Sequence, residues 1–238
     1  MKTIFVTCQH GNEKVPFKVI SRNFKEIDFL IANKEAFDKH KRFIDADLNR
    51  VFPGKKNGNK EEKIAFKLAK QLKSYDVVLD FHTATDPCEL FIITTNLSPK
   101  HIKFINTLNV KKVVYMENSL ASGHSLIDHV DLGVSLEVGG KVRDMEVELK
   151  SFIEDYLKGI VKGGKEYYTV FEILKKEQKT EKLSKNIKPF KLVKKGEEIS
   201  TIGNKKRYAE VDFYPVLSRE KNYQGVLCLM AKGVKINE

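Results

Sequence analysis

His10 and Glu13 are the residues of this chain whose types and spacing most plainly suggest chemistry. They lie in the run Thr7-Cys8-Gln9-His10-Gly11-Asn12-Glu13, directly after the apolar stretch Ile4-Phe5-Val6. An imidazole and a carboxylate three residues apart, at the mouth of a buried strand, can both turn onto one zinc ion. A pair that leaves coordination positions open is what a hydrolytic zinc site needs. In a chain with six histidines one H-x-x-E pair arises easily by chance, so the pair gains meaning only with a third ligand. His82 offers it, at the end of a second apolar run, Asp76-Val77-Val78-Leu79-Asp80-Phe81-His82. Cys8 is close by but reads as a small buried residue rather than a ligand.

Two further features belong with these three. Glu137 sits in Val134-Ser135-Leu136-Glu137-Val138-Gly139-Gly140. A lone carboxylate inside an aliphatic strand is costly unless paired or working, which makes Glu137 a candidate general base; the alternative is a glutamate satisfied by a buried partner. The run Arg42-Phe43-Ile44-Asp45-Ala46-Asp47-Leu48-Asn49-Arg50 places two arginines around an acidic loop. A guanidinium fork matches a carboxylate and asparagine adds a neutral donor. Asn49 and Arg50 therefore suit a substrate carboxylate, and Arg42 can face a developing oxyanion. Taken singly, these residues would be an ordinary surface turn.

The elements that must position them follow from periodicity. Short, nearly continuous apolar runs alternate with amphipathic segments over the first two thirds, the pattern of an α/β sheet with parallel strands covered by helices. Strands are expected at Thr3 to Thr7, Val77 to Phe81, Leu90 to Thr95, Lys112 to Met116 and Gly133 to Val138. Ile64, Ala65, Leu68, Ala69 and Leu72 give Lys60 to Ser74 one apolar helical face. Ser98-Pro99 reads as an N-cap followed by proline at the first helical position, opening a helix through Leu108; Asp144 is expected to cap another running to about Leu157. In an open α/β sheet the ligand crevice forms beyond the carboxyl ends of the strands, and that is where His10, Glu13, His82 and Glu137 all arrive.

After Gly163-Gly164 the character changes. Tyr167 to Leu174 is β-branched and aromatic, and turns follow at Lys195-Gly196, Gly203-Asn204 and Tyr214-Pro215. These mark a small, mainly antiparallel β domain, giving an expected division into a catalytic domain at 1–164 and a β-rich domain at 165–238. Lys175 to Lys188 is polar enough to be expected as a mobile loop.

Composition bounds the class. With 238 residues, 41% hydrophobic and 32% charged, the chain can build a large core and an active site. No apolar run approaches the roughly 18 residues of a membrane span, and the N-terminus lacks the features of a secretory signal. Three widely spaced cysteines favour reduced thiols and a cytoplasmic setting over a disulfide framework. The net charge of +11 comes from scattered lysines without a compact basic stripe, which argues for a solvated surface against nucleic-acid binding. The same positive field would draw in a small anionic substrate.

The motifs His10-Gly11-Asn12-Glu13, Asp47-Leu48-Asn49-Arg50, Asp80-Phe81-His82-Thr83 and Leu136-Glu137-Val138-Gly139, in this order and spacing, resemble the succinylglutamate desuccinylase and aspartoacylase family, relatives of the zinc carboxypeptidases. The resemblance implies a zinc-carboxypeptidase-like mixed sheet flanked by helices, with a small C-terminal mainly β domain. It also implies one zinc per chain on His10, Glu13 and His82, with Glu137 as the catalytic carboxylate. Arg42 would polarise the scissile carbonyl, and Asn49 and Arg50 would hold a substrate carboxylate. Asp80 would accept a ring N–H from His10, and Tyr223, after Tyr214-Pro215-Val216, would close over the substrate.

Two departures stand out. The aspartate-specific members of that family carry a further carboxylate-binding arginine upstream of the catalytic glutamate. Here the segment reads Gly123-His124-Ser125-Leu126-Ile127-Asp128-His129, which leaves His124 or His129 as possible substitutes, although either also reads as a loop histidine. The chain is also short for the family, so trimmed loops and a trimmed second domain are expected. The implied activity is zinc-dependent removal of an acyl group from an N-acyl amino acid or a similar small anionic amide. A peptide-directed zinc carboxypeptidase and a metal-binding protein without turnover are the alternatives. The donor set suits zinc and could also accept cobalt or manganese in vitro. The acyl group and the amino acid are not written in these residues, and self-association stays open.

Overall fold

The structure is a computed structural model and describes residues 1–117, 123–221, 223 and 225–236. Among these, the chain forms strands β1 (Thr3–Thr7), β2 (Phe29–Ile31), β3 (Val77–Ala84), β4 (Cys88–Thr94), β5 (Lys112–Tyr115), β6 (Gly133–Gly139), β7 (Glu166–Lys175), β8 (Lys182–Leu183), β9 (Glu198–Ile202), β10 (Lys205–Tyr208), β11 (Tyr214–Val216) and β12 (Val226–Val234). The helices are α1 (Val15–Asn23), α2 (Lys34–Asp38), α3 (Lys60–Gln71), α4 (Pro99–Ile105) and α5 (Val142–Lys158). A nine-stranded sheet runs β11-β12-β7-β5-β4-β6-β3-β1-β2, and a three-stranded sheet runs β10-β9-β8. Each expected strand is present; β3 and β6 run on past the expected ends, β4 starts two residues earlier, and β4 and β5 stop one residue short of Thr95 and Met116. The large sheet is mixed: β1, β2, β3 and β6 are parallel, β4 runs antiparallel to β6, and β5 and β7 run parallel to β4.

Alternation along the central strands explains both the core and the site. Phe5, Leu79, Phe81, Val134, Leu136 and Val138 point to one face and pack under α1, α4 and α5. Each such buried side chain contributes about 1.5–3 kcal/mol of transfer free energy. On the other face Ile4, Val6 and Val78 meet Ala65 and Leu68 of α3. Further along the same strands that face turns polar, because the residues next in phase are Asp80 and His82 on β3 and Ser135 and Glu137 on β6. In register, Asp80 lies opposite Ser135 and His82 opposite Glu137.

Several details of the helices add to or differ from expectation. The segment Leu72–Ser74 continues α3 as a 3-10 turn. Asn59 opens α3 with a reciprocal capping box, its side chain accepting from the Glu62 N–H while Glu62 accepts from the Asn59 N–H. Ser98 precedes Pro99 as expected, but its hydroxyl is joined to His101 Nδ1 at 2.9 Å and caps no backbone N–H; α4 ends at Ile105, short of Leu108. Lys141 occupies the N-cap of α5, and Asp144 sits in the first turn, where its charge favours the helix dipole.

The segment after residue 164 is mainly antiparallel β, and it is also woven into the large sheet. β7 joins β5, and β12 pairs with both β7 and β11. The polar stretch expected as a mobile loop contains β8 and the buried carboxylate of Glu181, which accepts from Ser200 and Arg207. No helix among the described residues is long and apolar enough to cross a membrane.

Candidate active site

The turn after β1 brings His10 and Glu13 to the carboxyl edge of the sheet. Cys8 adopts the left-handed region at φ 55°, which ends the strand and redirects the chain; its buried thiol is pushed up to about 11 by desolvation and contacts the Glu13 carbonyl oxygen. Gly11 permits the turn to lie against α2, since a Cβ there would fall 2.1 Å from the Ala36 carbonyl carbon. Its N–H donates to the Arg42 carbonyl at 3.0 Å, tying the H-G-x-E turn to the arginine loop.

The structure brings His10, Glu13 and His82 together: one ligand atom from each lies within 4.8 Å of the others, and all three residues are buried. His10 Nδ1 is 2.7 Å from Glu13 Oε1, His82 Nδ1 is 3.2 Å from Glu13 Oε2, and the ring centroids are 5.2 Å apart. Both Nδ1 atoms thus face one carboxylate, while each Nε2 turns to another. His82 Nε2 meets Asp80 Oδ2 at 2.7 Å, and His10 Nε2 meets Asp47 Oδ1 at 3.0 Å. This corrects the expected pairing of Asp80 with His10. The strand alternation that puts Asp80 two residues before His82 on one face makes His82 its neighbour, and Asp47 of the arginine loop takes the His10 position. Asp80 Oδ2 also accepts from Gln9 Nε2 at 2.7 Å and Ser135 Oγ at 3.1 Å. An Asp80→Asn variant should weaken metal affinity by about 10–100-fold, the usual effect of losing a ring-orienting carboxylate; competition with a chromophoric chelator reads it.

The site is rich in carboxylates. Glu13, Asp47, Asp80 and Glu137 crowd one largely buried region, with Arg42 bonded to Asp47 and Glu13 and Arg50 acting on Asp47 from further out. Burial alone would raise Glu13, yet the His10 and His82 rings hold it well below the usual carboxylate range. Burial works against a charged His82, but Asp80 and Glu13 overcome it and raise the ring's pKa well above the ordinary value. Glu137 is pushed up to about 8, chiefly by burial; His82 opposes the shift, and the charges of Glu13, Glu220 and Asp80 add to it.

The arginine loop is held by a residue that the sequence reading passed over. Glu61 is fully buried and accepts from the N–H groups of Ile44, Asp45 and Ala46 at 2.8, 3.0 and 3.1 Å, and from Asn33 Nδ2 at 3.0 Å. Its spacing before Ala65 and Leu68 puts it on the apolar face of α3, a signal legible in the sequence. Replacing Glu61 by alanine should cost about 3 kcal/mol, since several charge-assisted bonds are lost and their donors left buried. Despite its burial, these bonds lower the Glu61 pKa from 4.5. Its contribution is therefore complete above that value and fades as pH falls toward the folded-state pKa. Thermal denaturation of wild type and Glu61→Gln across acidic pH tests this: the wild type should lose its advantage on acidification.

Within the loop, Arg42 donates through Nη2 and Nε to Asp47 Oδ2 at 2.9 and 3.3 Å and through Nη1 to Glu13 Oε1 at 3.2 Å. Asn49 Oδ1 accepts the Leu126 N–H at 2.9 Å. Arg50 donates to the Asn49 carbonyl at 2.6 Å and to the Tyr223 hydroxyl at 3.3 Å. The Tyr223 ring lies 6.0 Å from the Arg42 guanidinium carbon and 5.9 Å from that of Arg50. The segment leading to Tyr223 is fastened by Glu220, which takes both the N–H and O–H of Thr85, and by Arg219 on Asp86, partners that sequence spacing could not suggest. His124 is joined through Nδ1 to the Phe52 carbonyl at 2.8 Å and His129 through Nε2 to that of Gly123 at 3.1 Å, so both rings serve the backbone.

The model of the succinylglutamate desuccinylase/aspartoacylase catalytic domain matches residues 2–157. A probable aspartoacylase of Trichodesmium erythraeum (strain IMS101) is 29% identical over 163 residues, covering 58% of this chain and 55% of that protein. A succinylglutamate desuccinylase of Vibrio vulnificus (strain CMCP6) is 27% identical over 173 residues, covering 60% and 50%. The chain thus spans about half the length of these curated relatives. Murine aminoacylase 3 shares the fold with a TM-score of 0.81 at 16% identity, over 99% of this chain and 96% of that one. With its H-G-x-E turn, arginine loop and β3 and β6 strand ends all inside the matched residues, the chain belongs to the succinylglutamate desuccinylase/aspartoacylase family.

Proposed function

We propose that this chain is a zinc-dependent amidohydrolase that removes the acyl group from an N-acyl amino acid or a similar small anionic amide. The observation that carries the proposal is the meeting of two histidine Nδ1 atoms and the Glu13 carboxylate at one buried point, with Glu137 opposite His82 in register. Two imidazoles and a carboxylate, with Asp80 and Asp47 placed to accept from the far ring nitrogens, fit a divalent cation of the zinc type. When bound, zinc would supply Lewis acidity, polarising oxygen and lowering the pKa of water toward about 7.

The chain's own groups do the rest. Glu137 removes the proton of the attacking water as the bond to the amide carbon forms, then passes that proton to the departing amine. Burial raises the Glu137 carboxyl to about 8 without a metal, and a bound cation lowers it from there toward the neutral range in which both transfers are served. Arg42 keeps donors beyond the three engaged by Asp47 and Glu13, and these stabilise the oxygen that becomes negative. Asn49 and Arg50 hold the substrate carboxylate, and Tyr223, bridging both arginines, closes over it. The products are a carboxylate and a free amino acid.

Cys8, Cys88 and Cys228 are free thiols, which supports a cytoplasmic setting. The direct test is a deacylation screen of N-acetyl, N-succinyl and N-formyl amino acids with metal analysis. Turnover that disappears on chelation and returns with zinc is expected; a zinc-loaded protein inert across the panel would overturn the proposal.

A further inference from the structure

A cavity of about 390 Å³ opens beside Glu137 and is bordered at one side by Asn49 and Arg50. Its walls follow from strand alternation carried across the sheet. Ile93 of β4 lies in register with Ser135, on the face that presents Glu137, and Ile173 of β7 pairs with Leu229 of β12. Met116, Ile127, Leu217 and Val226 complete the apolar lining. Several polar groups on these walls are committed to the protein: Ser135 Oγ donates to Asp80, Ser125 Oγ to Asp128, Asn49 Oδ1 accepts from Leu126 and the Tyr223 hydroxyl accepts from Arg50; Thr95 and Glu137 are the other polar side chains there. Among the described residues that line the cavity, Arg50 is the one cation, and it stands with Asn49. The two nearby histidines that could have added charge are joined to backbone carbonyls.

From this we infer that the cavity receives the side chain of the substrate's amino acid, and that the side chain is apolar. The inference rests on the deacylase reading above and deepens it. If Asn49 and Arg50 take the α-carboxylate while the amide carbon lies by Glu137, the carbon between them directs its substituent into this cavity. An aliphatic, thioether or aromatic group there is buried against Ile93, Ile173 and Leu229. A second carboxylate would instead be desolvated on apolar walls beside Glu137 with no cation of its own, a penalty that partial solvent access does not remove. The preferred substrates are N-acyl derivatives of apolar amino acids, and acidic ones are rejected.

The experiment compares kcat/KM of the zinc-loaded full chain for N-acetyl-leucine, N-acetyl-methionine and N-acetyl-phenylalanine against N-acetyl-aspartate and N-acetyl-glutamate. The apolar set should lead by about 100-fold or more, as for a buried charge left unpaired. Equal or better turnover of the acidic pair overturns the inference. Calorimetric binding of the same compounds to zinc-loaded Glu137→Gln separates this inference from the activity itself: the apolar preference should appear in Kd even if no compound is cleaved, and its absence there is fatal. In Ile173→Arg, at a half-buried lining position, the ratio should move toward the acidic substrates by at least about tenfold. An unchanged ratio with a folded, metal-replete variant rejects the assignment of this cavity.

Discussion

Replacing Glu137 by glutamine is expected to leave zinc bound and to lower kcat by about two or more powers of ten. The substitution keeps the volume and hydrogen-bonding reach of the side chain while removing its ability to carry a proton. KM should change little, because Glu137 is not among the groups proposed to hold the substrate carboxylate. The pH dependence separates this role from a structural one. The carboxyl sits near 8 in the metal-free protein, and a bound cation can only lower that value. Activity should therefore fall on the acid side of a limb at or below 8, and the limb should vanish from any residual Glu137→Gln activity. Stability carries the same signature with a definite sign. A folded-state pKa above the ordinary 4.5 means that the contribution is complete below 4.5 and is lost as pH rises through about 8. Metal-free wild type should weaken over that window relative to the glutamine variant. Unaltered kcat in metal-replete Glu137→Gln would remove Glu137 from the mechanism.

Loss of His82 should be more drastic still. His82→Ala removes one of three donors and leaves Asp80, which accepts from His82 at 2.7 Å, and Glu13 facing each other across a cavity without the ring between them. Metal content after dialysis should drop from one per chain to near zero, with turnover at background. Without its positive partner the buried Asp80 carboxylate should also destabilise the metal-free fold by about 3–5 kcal/mol, the cost of breaking a buried charge pair. Full zinc occupancy in this variant, measured by elemental analysis, would contradict the ligand assignment. Asp80→Asn should lie between wild type and His82→Ala, because it misorients a ligand without deleting one.

Much of this was legible in the sequence because the relevant signals are local. Apolar runs interrupted by ionisable residues near their carboxyl ends, Asp80 and His82 in one and Glu137 in the other, mark strands whose polar positions share one face. The pairing of Asp80 was misplaced because the resemblance suggested His10, whereas the two-residue spacing on β3 favours His82. The role of Glu61 required knowing that α3 packs against the arginine loop, a contact between segments about 15 residues apart, and that of Asp47 required knowing that this loop reaches His10; periodicity alone fixes neither. The apolar cavity was invisible for a related reason. Ile93, Ile173 and Leu229 converge only because β7 and β12 extend the sheet that carries Glu137, and sequence patterning placed those strands in a separate unit.

The most direct test of the proposed centre is anomalous diffraction at the zinc edge from crystals of the zinc-loaded protein. One strong peak bounded by His10 Nδ1, His82 Nδ1 and the Glu13 carboxylate is the predicted result. Zinc held elsewhere, or no ordered zinc in a protein that still hydrolyses N-acyl amino acids, would contradict it.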